Sequence, residues 1–118
     1  MKVLIVAPQK NPYEKDVANE LHTLQKIVGG HIEAVYTFEE PIALVCFDEA
    51  KLTEDTEWNR ILPEINDVIK GTFFLCGLGA EDFDDLPQGL IEKYKERFWN
   101  PEYFIRTPHG LMPIKSKE

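Results

Sequence analysis

The sequence predicts an α+β fold: a single small domain with a mostly antiparallel sheet and two helices packed on one face. Three observations support this prediction. The chain has 118 residues, the usual size of one domain, and 43% of them are hydrophobic, enough for a packed core. Several short apolar runs rich in Val, Ile and Phe have the length of strands. Only two stretches have helical periodicity, fewer than a doubly wound parallel sheet needs for its crossovers.

The first half of the chain predicts a strand, a helix and a hairpin. Residues 2–7 form a continuous apolar run, which is typical of a strand buried on both faces. A helix then follows, capped by Asp16 and ended by the glycines at 29–30. Residues 31–38 alternate between apolar and polar side chains, and 42–47 are apolar, so the two segments should pair. The apolar stripe of this first helix comprises Val17, Leu21, Leu24 and Val28.

The second half contains one irregular segment, one strand and the second helix. Residues 52–66 show no clear period and predict a long excursion with little regular structure. Residues 68–76 predict one strand with a candidate bulge at Gly71. We expect a domain over residues 1–100 and a tail over 101–118, whose front half docks and whose end is mobile. The apolar stripe of the second helix comprises Leu86, Leu90, Tyr94 and Phe98.

Composition limits the possible functions. The formal net charge is −8, which disfavours direct binding to nucleic acid through a basic surface. No apolar run approaches the roughly 20 residues that cross a bilayer, and the N-terminal run is shorter than the core of a signal peptide, so we expect a cytoplasmic protein with no membrane partner. Cys46 and Cys76 lie in apolar runs without ligands at metal spacing, which favours buried reduced thiols.

Signatures of catalysis are weak. The glycines at 77 and 79 follow a strand, but neither the third glycine of a dinucleotide fingerprint nor a Gly-Lys-Ser/Thr sequence follows them. The only serine is Ser116, and the three histidines have no His-x-x-x-His spacing. We therefore expect no enzyme, no cofactor and no metal site, with an enzyme of unknown type as the third alternative.

The strongest candidate for a polar binding site is the tripeptide Trp58-Asn59-Arg60. It combines a stacking surface, an amide and a guanidinium fork that suits phosphate or carboxylate. Gln25 and Thr72, with Tyr36, are candidates for a neighbouring wall. The alternative is structural: the tryptophan would fill the core while Arg60 pairs with an acidic residue.

Four segments occur in an order that resembles a known family. Together they are similar to a small family of domains of unknown function found in phages, conjugative plasmids and related bacterial genomes, over roughly residues 1–98. The resemblance implies a cytosolic accessory protein of a mobile element and transfers no catalytic residue. The segments are 24–33, 59–60, 67–74 and 92–98, and the matching positions are Gln25, Gly29, Gly30, Asn59, Arg60, Gly71 and Thr72.

Two functions follow as hypotheses. The first is a non-enzymatic small-ligand-binding protein of phage or mobile-element origin, acting against host defence by sequestering a nucleotide-derived immune signal. Its ligand site would comprise Gln25, Trp58, Asn59, Arg60 and Thr72, and we expect a homo-oligomer with pockets between subunits. The alternative is an acidic inhibitor of the DNA-mimic or antirestriction type, which occupies a basic surface on a host enzyme.

Overall fold

The computed structural model describes residues 1–114, which form one sheet, two hairpins and two helices. Helix α1 spans Leu21–Val28 and α2 spans Gln88–Arg97, and short 3-10 turns lie at Ala50–Leu52 and Pro63–Ile65. The strands are β1 (Lys2–Val6), β2 (Tyr13–Asp16), β3 (Ile32–Val35), β4 (Ile42–Phe47), β5 (Trp58–Leu62), β6 (Asp67–Lys70), β7 (Phe73–Leu78), β8 (Phe83–Asp84), β9 (Tyr103–Thr107) and β10 (Gly110–Ile114).

The main sheet is antiparallel throughout and has the order β2-β1-β7-β4-β3, with β8 added to β7. Its centre is apolar: Leu4 of β1 and Leu44 of β4 both lie opposite Leu75 of β7. The predicted pairing of β3 with β4 is confirmed. The α+β class with a mostly antiparallel sheet is therefore also confirmed.

The two helices cover opposite faces of this sheet, and the prediction that both pack on one face is wrong. Leu24 and Val28 of α1 belong to a core cluster with Val3 and Ile5 of β1. Ile91 and Tyr94 of α2 belong to another cluster, with Leu4 and Val6. Because successive side chains of a strand point to opposite faces, a central strand that is apolar at every position needs cover on both sides.

The segment before α1 is a strand rather than the first turn of the helix. Residues 13–16 form β2, an edge strand whose four residues are exposed, and the helix begins only at Leu21. Val17 follows β2, outside the helix, and its side chain is buried in the same cluster as Leu24 and Val28. The predicted end of the helix is confirmed, since Gly29 adopts φ +97° and its N–H donates to the carbonyl of Gln25.

Residues 52–66 contain regular structure, contrary to the predicted excursion. Strands β5 and β6 form an antiparallel hairpin, and the irregularity lies in β5 between Trp58 and Arg60. Gly71, expected as a bulge inside one strand, has φ +82° and separates β6 from β7, which belong to different sheets. The hairpin could not be predicted because the loop before β5 is polar and shows no strand-like alternation.

The segment after α2 forms a second hairpin from β9 and β10. Its base is held to β5, because the backbone N–H of Ile61 donates to Glu102 Oε1 at 3.1 Å. The division into a domain and a tail stays a prediction, and the expected mobility of residues 115–118 lies outside the described residues. Over residues 1–114, no helix has both the length and the apolar character that crossing a lipid bilayer requires.

Candidate functional site

Asn59 and Arg60 are the only polar residues buried in the described core, and both side chains are fully inaccessible. The Asn59 amide donates to the carbonyl oxygens of Val6 and Gly71, each at 2.9 Å. Its own oxygen accepts a hydrogen bond of 2.8 Å from Arg60 Nη1. Asn59 therefore joins β1, β5 and the turn between β6 and β7 through its side chain.

The Arg60 guanidinium lies in the core and caps the C-terminal end of α2. Its Nε and Nη2 donate to the carbonyl of Phe98 at 3.2 and 2.8 Å, and Nη2 also donates to the carbonyl of Lys10 at 2.8 Å. A cation at a helix C-terminus is favourable because it meets the negative end of the helix dipole. Burial lowers the pKa of Arg60, and the nearby carboxylate of Glu102, 4.0 Å from Nε, opposes that effect.

The other predicted site residues lie apart from this pair. Trp58 is half-buried under Lys70, whose Nζ lies 5.2 Å from the ring centroid. Gln25 is half-buried on α1, and Thr72 is half-buried beside β1 and α1. The structure thus joins Asn59 to Arg60 in one network and brings neither Gln25 nor Thr72 into it. Ligand binding by these five residues stays a prediction, while the contacts favour the structural alternative for Asn59 and Arg60.

A groove of about 610 Å³ lies between α1 and the β1–β2 edge of the sheet. Its polar walls come from Tyr13 and Lys15 of β2 on one side and from His22 and Lys26 of α1 on the other, with Thr72 also in the lining. The volume of the groove falls within the range of small-molecule sites, and its lining combines apolar side chains with several polar ones, as such sites do. Its lining is completed by Ile5, Ala7, Asp16, Val17, Ala18, Thr23 and Ile27.

Strand register explains why the β2 side chains face the groove. Tyr13 lies opposite Ile5, and Lys15 lies opposite Val3. Directly opposed residues share a face of the sheet, and both apolar partners belong to the α1 face. Tyr13 and Lys15 therefore stand beside α1.

Helical spacing explains the opposite wall. His22 and Lys26 are four residues apart on α1, so their side chains are neighbours on one face of the helix. Leu24 and Val28 of the same helix face the sheet. The helix thus keeps one face in the core and presents a histidine and a lysine to the groove.

The lysines of the groove are free to meet a ligand. Among residues 1–114, neither Lys15 nor Lys26 makes an ion pair or a side-chain hydrogen bond, although acidic residues outnumber basic ones in this chain by 21 to 13. The groove carboxylate of Asp16 accepts a hydrogen bond of 2.8 Å from the amino group of Met1. The groove therefore offers two uncommitted cations above an apolar floor.

Sequence analysis missed the groove residues Tyr13, Lys15 and Lys26. A signal existed, because Tyr-x-Lys alternates as a strand does and His-x-x-x-Lys has the spacing of one helical face. Both patterns are common on exposed surfaces, and the sequence predicts Asp16 as a helix cap rather than as part of a strand. Their convergence depends on β2 pairing with β1, which no local pattern indicates.

Comparison with known sequences places this chain in a family. Residues 1–99 match the family described as a domain of unknown function, DUF3846. The chain belongs to the DUF3846 family. No curated protein and no solved structure matches this DUF3846 chain. The resemblance to a family of unknown function is confirmed, and an origin in phages or plasmids stays a prediction.

The family match covers most of this DUF3846 protein but not its C-terminal hairpin. It includes both helices, the groove, and Asn59 with Arg60, and it ends at Trp99, before the β9–β10 hairpin. Within the described residues, no three His, Cys, Asp or Glu side chains are grouped so that they could hold a metal ion. Both cysteines are free and buried, and burial raises the pKa of Cys46 to about 11 and that of Cys76 to about 12.

A second cavity of about 240 Å³ in the DUF3846 domain is lined by charged side chains that pair with each other. Glu40 accepts hydrogen bonds from Lys93 and from the Tyr94 hydroxyl, the latter at 2.5 Å. Arg97 donates two hydrogen bonds to Glu64, one of them at 2.6 Å. These contacts fasten the loops before β4 and β6 to α2, and they leave the cavity few free polar groups.

The Glu40 contacts predict a dependence of stability on acid. The hydrogen bond from Lys93, followed by that from Tyr94, lowers the pKa of Glu40 to about 2 from an ordinary value of 4.5. A carboxylate with a depressed pKa stabilises the folded state above its unfolded pKa, and that contribution is lost as the pH falls through the folded pKa. We expect the free energy of unfolding to fall between about pH 4.5 and 2, and Glu40→Gln to reduce this slope in urea titrations. A slope unchanged in the variant would show that Glu40 contributes nothing.

Proposed function

We propose that this protein is a non-enzymatic binding protein for a small anionic ligand held in the groove between α1 and the β1–β2 edge. The observation that carries the proposal is the pair of uncommitted lysines, Lys15 and Lys26, facing each other across an apolar floor. Cations without a protein partner in a strongly acidic chain are available for an anion from outside. His22, one turn from Lys26, adds a third nitrogen-bearing group to the same rim.

The walls suit a ligand with a ring as well as a charge. Tyr13 is 47% exposed and lies in the groove lining, so its ring can stack on a planar group. The hydroxyls of Thr23 and Thr72 can donate to or accept from polar atoms of the same ligand. We therefore propose a nucleotide-derived ligand, with its phosphate near the lysines and its base near Tyr13.

The biological role that fits such binding is sequestration. We propose a phage or mobile-element protein that acts in the host cytoplasm and withdraws a nucleotide-derived immune signal from its sensor, as a homo-oligomer. The resemblance to domains from phages and conjugative plasmids supports the origin. Binding without turnover is the property that separates this role from that of an enzyme.

Reversal of one groove charge tests the site. We expect Lys26→Glu to weaken binding of the best nucleotide at least roughly tenfold, because hydrogen bonds to charged groups contribute about 1.5–3 kcal/mol. Lys95→Glu is the matched control: the same change, on the other helix, at a lysine that also lacks an ion pair among the described residues and does not line the groove. Isothermal titration calorimetry measures both affinities.

The ligand itself is found by a thermal-shift screen with mono-, di- and cyclic nucleotides and ADP-ribose derivatives. A compound at a hundred times its dissociation constant adds about 2.7 kcal/mol to the folded state, enough to raise the melting temperature by several degrees. Recovery of the ligand unchanged after incubation supports sequestration, and conversion to a product would make the protein an enzyme. Equal affinities of the two charge variants would remove the groove from the proposal.

The second candidate function is inhibition of a host enzyme through the acidic surface. The observation in its favour is the exposed loop that precedes α2, with carboxylates at residues 81, 82, 84 and 85. A mimic of DNA would form a complex that weakens steeply as salt rises, because its contacts are ionic. No stabilisation by any nucleotide, together with salt-sensitive capture of one basic host enzyme, would favour this function over sequestration.

A further inference from the structure

The buried Asn59 amide is hydrogen-bonded to the backbone next to one end of the groove. Its nitrogen donates to the carbonyl oxygens of Val6 and Gly71, each at 2.9 Å. Neither acceptor residue lines the groove, but the residue that follows each of them, Ala7 or Thr72, does. Asn59 therefore acts on two groove residues from the core side, without touching the groove itself.

Asn59 also holds β1 and β7 together where their own pairing stops. The β1–β7 ladder ends with Val6 opposite Phe73. In the same register, Ala7 and Thr72 are the next residues beyond this last pair. An amide that donates to one carbonyl on each chain bridges the two chains at this point. The spacing between Ala7 and Thr72 therefore depends on the Asn59 side chain.

Arg60 fixes the orientation of this amide. Its Nη1 donates to Asn59 Oδ1 at 2.8 Å, which leaves the amide nitrogen turned toward the two carbonyl oxygens. Its Nη2 donates at 2.8 Å to the carbonyl of Lys10, in the connection that leads from β1 to Tyr13 of β2. The Asn59–Arg60 network therefore contacts the chain on both sides of this end of the groove.

Strand register shows which end of the groove this is. Lys15 lies opposite Val3, whereas Tyr13 lies further along β1, toward Ala7. Because a strand rises about 3.3 Å per residue, the levels of Val3 and Ala7 are about 13 Å apart. Thr72 and Tyr13 therefore belong to one end of the groove, and Lys15 belongs to the other.

We propose that Asn59 is a positioning residue for the ring of the ligand. By holding Thr72 beside Ala7, it places the Thr72 hydroxyl at the Tyr13 end of the groove, where the hydroxyl binds polar atoms of the base. The phosphate lies at the Lys15 end, beyond the reach of this hydroxyl. The inference rests on the proposed function, and it divides the groove into a ring end and an anion end.

NMR titrations with AMP and with inorganic phosphate test this division. Asn59→Asp keeps the shape of the side chain and the acceptor for Arg60, but it replaces the donor to the two carbonyl oxygens by a second acceptor. We expect this variant to bind AMP at least roughly fivefold more weakly, the size of one misplaced hydrogen bond, and to bind phosphate as the wild type does. Lys15→Glu should weaken the binding of both probes, because both carry the phosphate.

Two controls separate positioning from a loss of stability. Ile91→Ala removes buried apolar atoms on the α2 face of the sheet, where no groove residue lies, so it should lower stability and leave both affinities unchanged. Thr72→Val removes the hydroxyl and keeps the branched shape, so it should weaken AMP binding alone. Because Asn59 acts through Thr72, the double variant should bind AMP no more weakly than the weaker single variant. If Asn59→Asp does not fold, Asn59→Ala takes its place in the same comparisons.

The outcomes distinguish this inference from the function on which it rests. AMP binding that Lys15→Glu weakens and Asn59→Asp leaves unchanged would overturn the positioning role alone. So would an equal loss of AMP and phosphate binding in Asn59→Asp, or effects of Asn59→Asp and Thr72→Val that add. If neither probe binds the wild-type protein, or if Lys15→Glu changes neither affinity, the groove is not an anion site and both proposals fail.

Discussion

Replacing Arg60 by alanine is expected to lower the free energy of unfolding by about 3–5 kcal/mol, a large share of the stability of a domain of this size. The substitution removes hydrogen bonds to the carbonyl oxygens of Phe98, Lys10 and Asn59 in a fully buried position. Each buried acceptor left without a donor costs about 1–3 kcal/mol. It also removes the cation that faces the C-terminal end of α2.

Arg60→Lys should recover only part of this loss. An ammonium group is a compact point charge, and it lacks the planar fork with which Arg60 reaches three separate segments at once. The neighbouring Asn59 oxygen would also lose the donor that now lies 2.8 Å away. We expect the lysine variant to fall between wild type and alanine.

Urea unfolding followed by circular dichroism measures these differences. Arg106→Ala is the matched control, because Arg106 is exposed and makes no ion pair among the described residues, so its loss should change stability by less than about 0.5 kcal/mol. If Arg60→Ala unfolds at the same urea concentration as Arg106→Ala, the buried network does not stabilise the fold.

Gly77→Ala is expected to destabilise the protein by about 1–3 kcal/mol, because it adds a methyl group where there is no space. Gly77 is buried in β7 and lies opposite Ile42 on one side and Asp84 on the other. A Cβ atom at this position would be 2.2 Å from the carbonyl oxygen of Asp85. The backbone of the segment that leads into α2 would have to move.

The opposite sign is expected for the same substitution in α2. A Cβ atom added at Gly89 meets no atom within 4 Å, and alanine is favoured over glycine in a helix by about 0.5–1 kcal/mol. Thermal unfolding of Gly77→Ala and Gly89→Ala should therefore shift the melting temperature in opposite directions. Equal shifts would mean that the backbone at Asp85 moves away from residue 77 without a cost in stability.

The fold class could be predicted because hydrophobic periodicity is local. The apolar run at residues 2–7 has the length and composition of a strand, and the stripe of α2 has helical spacing. Gly29 marks the end of its helix by a backbone conformation that other residues resist. The arrangement of helices could not be predicted in this way. A strand that is apolar at every position shows that both faces are buried, but it does not show which helix covers which face.

The candidate site was less predictable because its chemistry is distributed. Trp58-Asn59-Arg60 stands out in the sequence because an aromatic ring, an amide and a guanidinium are adjacent, and the structure buries Asn59 and Arg60 in the core. Lys15 and Lys26 cannot be linked from the sequence, because they converge only after β2 folds back on β1 beside α1. The Tyr-x-Lys and His-x-x-x-Lys spacings are common on exposed surfaces, so they do not indicate a groove until β2 is known to pair with β1.

The position of Arg60 also bears on the order in which the protein folds. Its partners belong to segments that are distant in sequence: Lys10 follows β1, and Phe98 follows α2. These acceptors come together only when both ends of the domain have docked, so we expect the guanidinium to gain its hydrogen bonds late in folding. Interactions that are absent from the transition state act on the unfolding rate and barely affect the folding rate. We therefore expect Arg60→Ala to raise the unfolding rate much more than it lowers the folding rate.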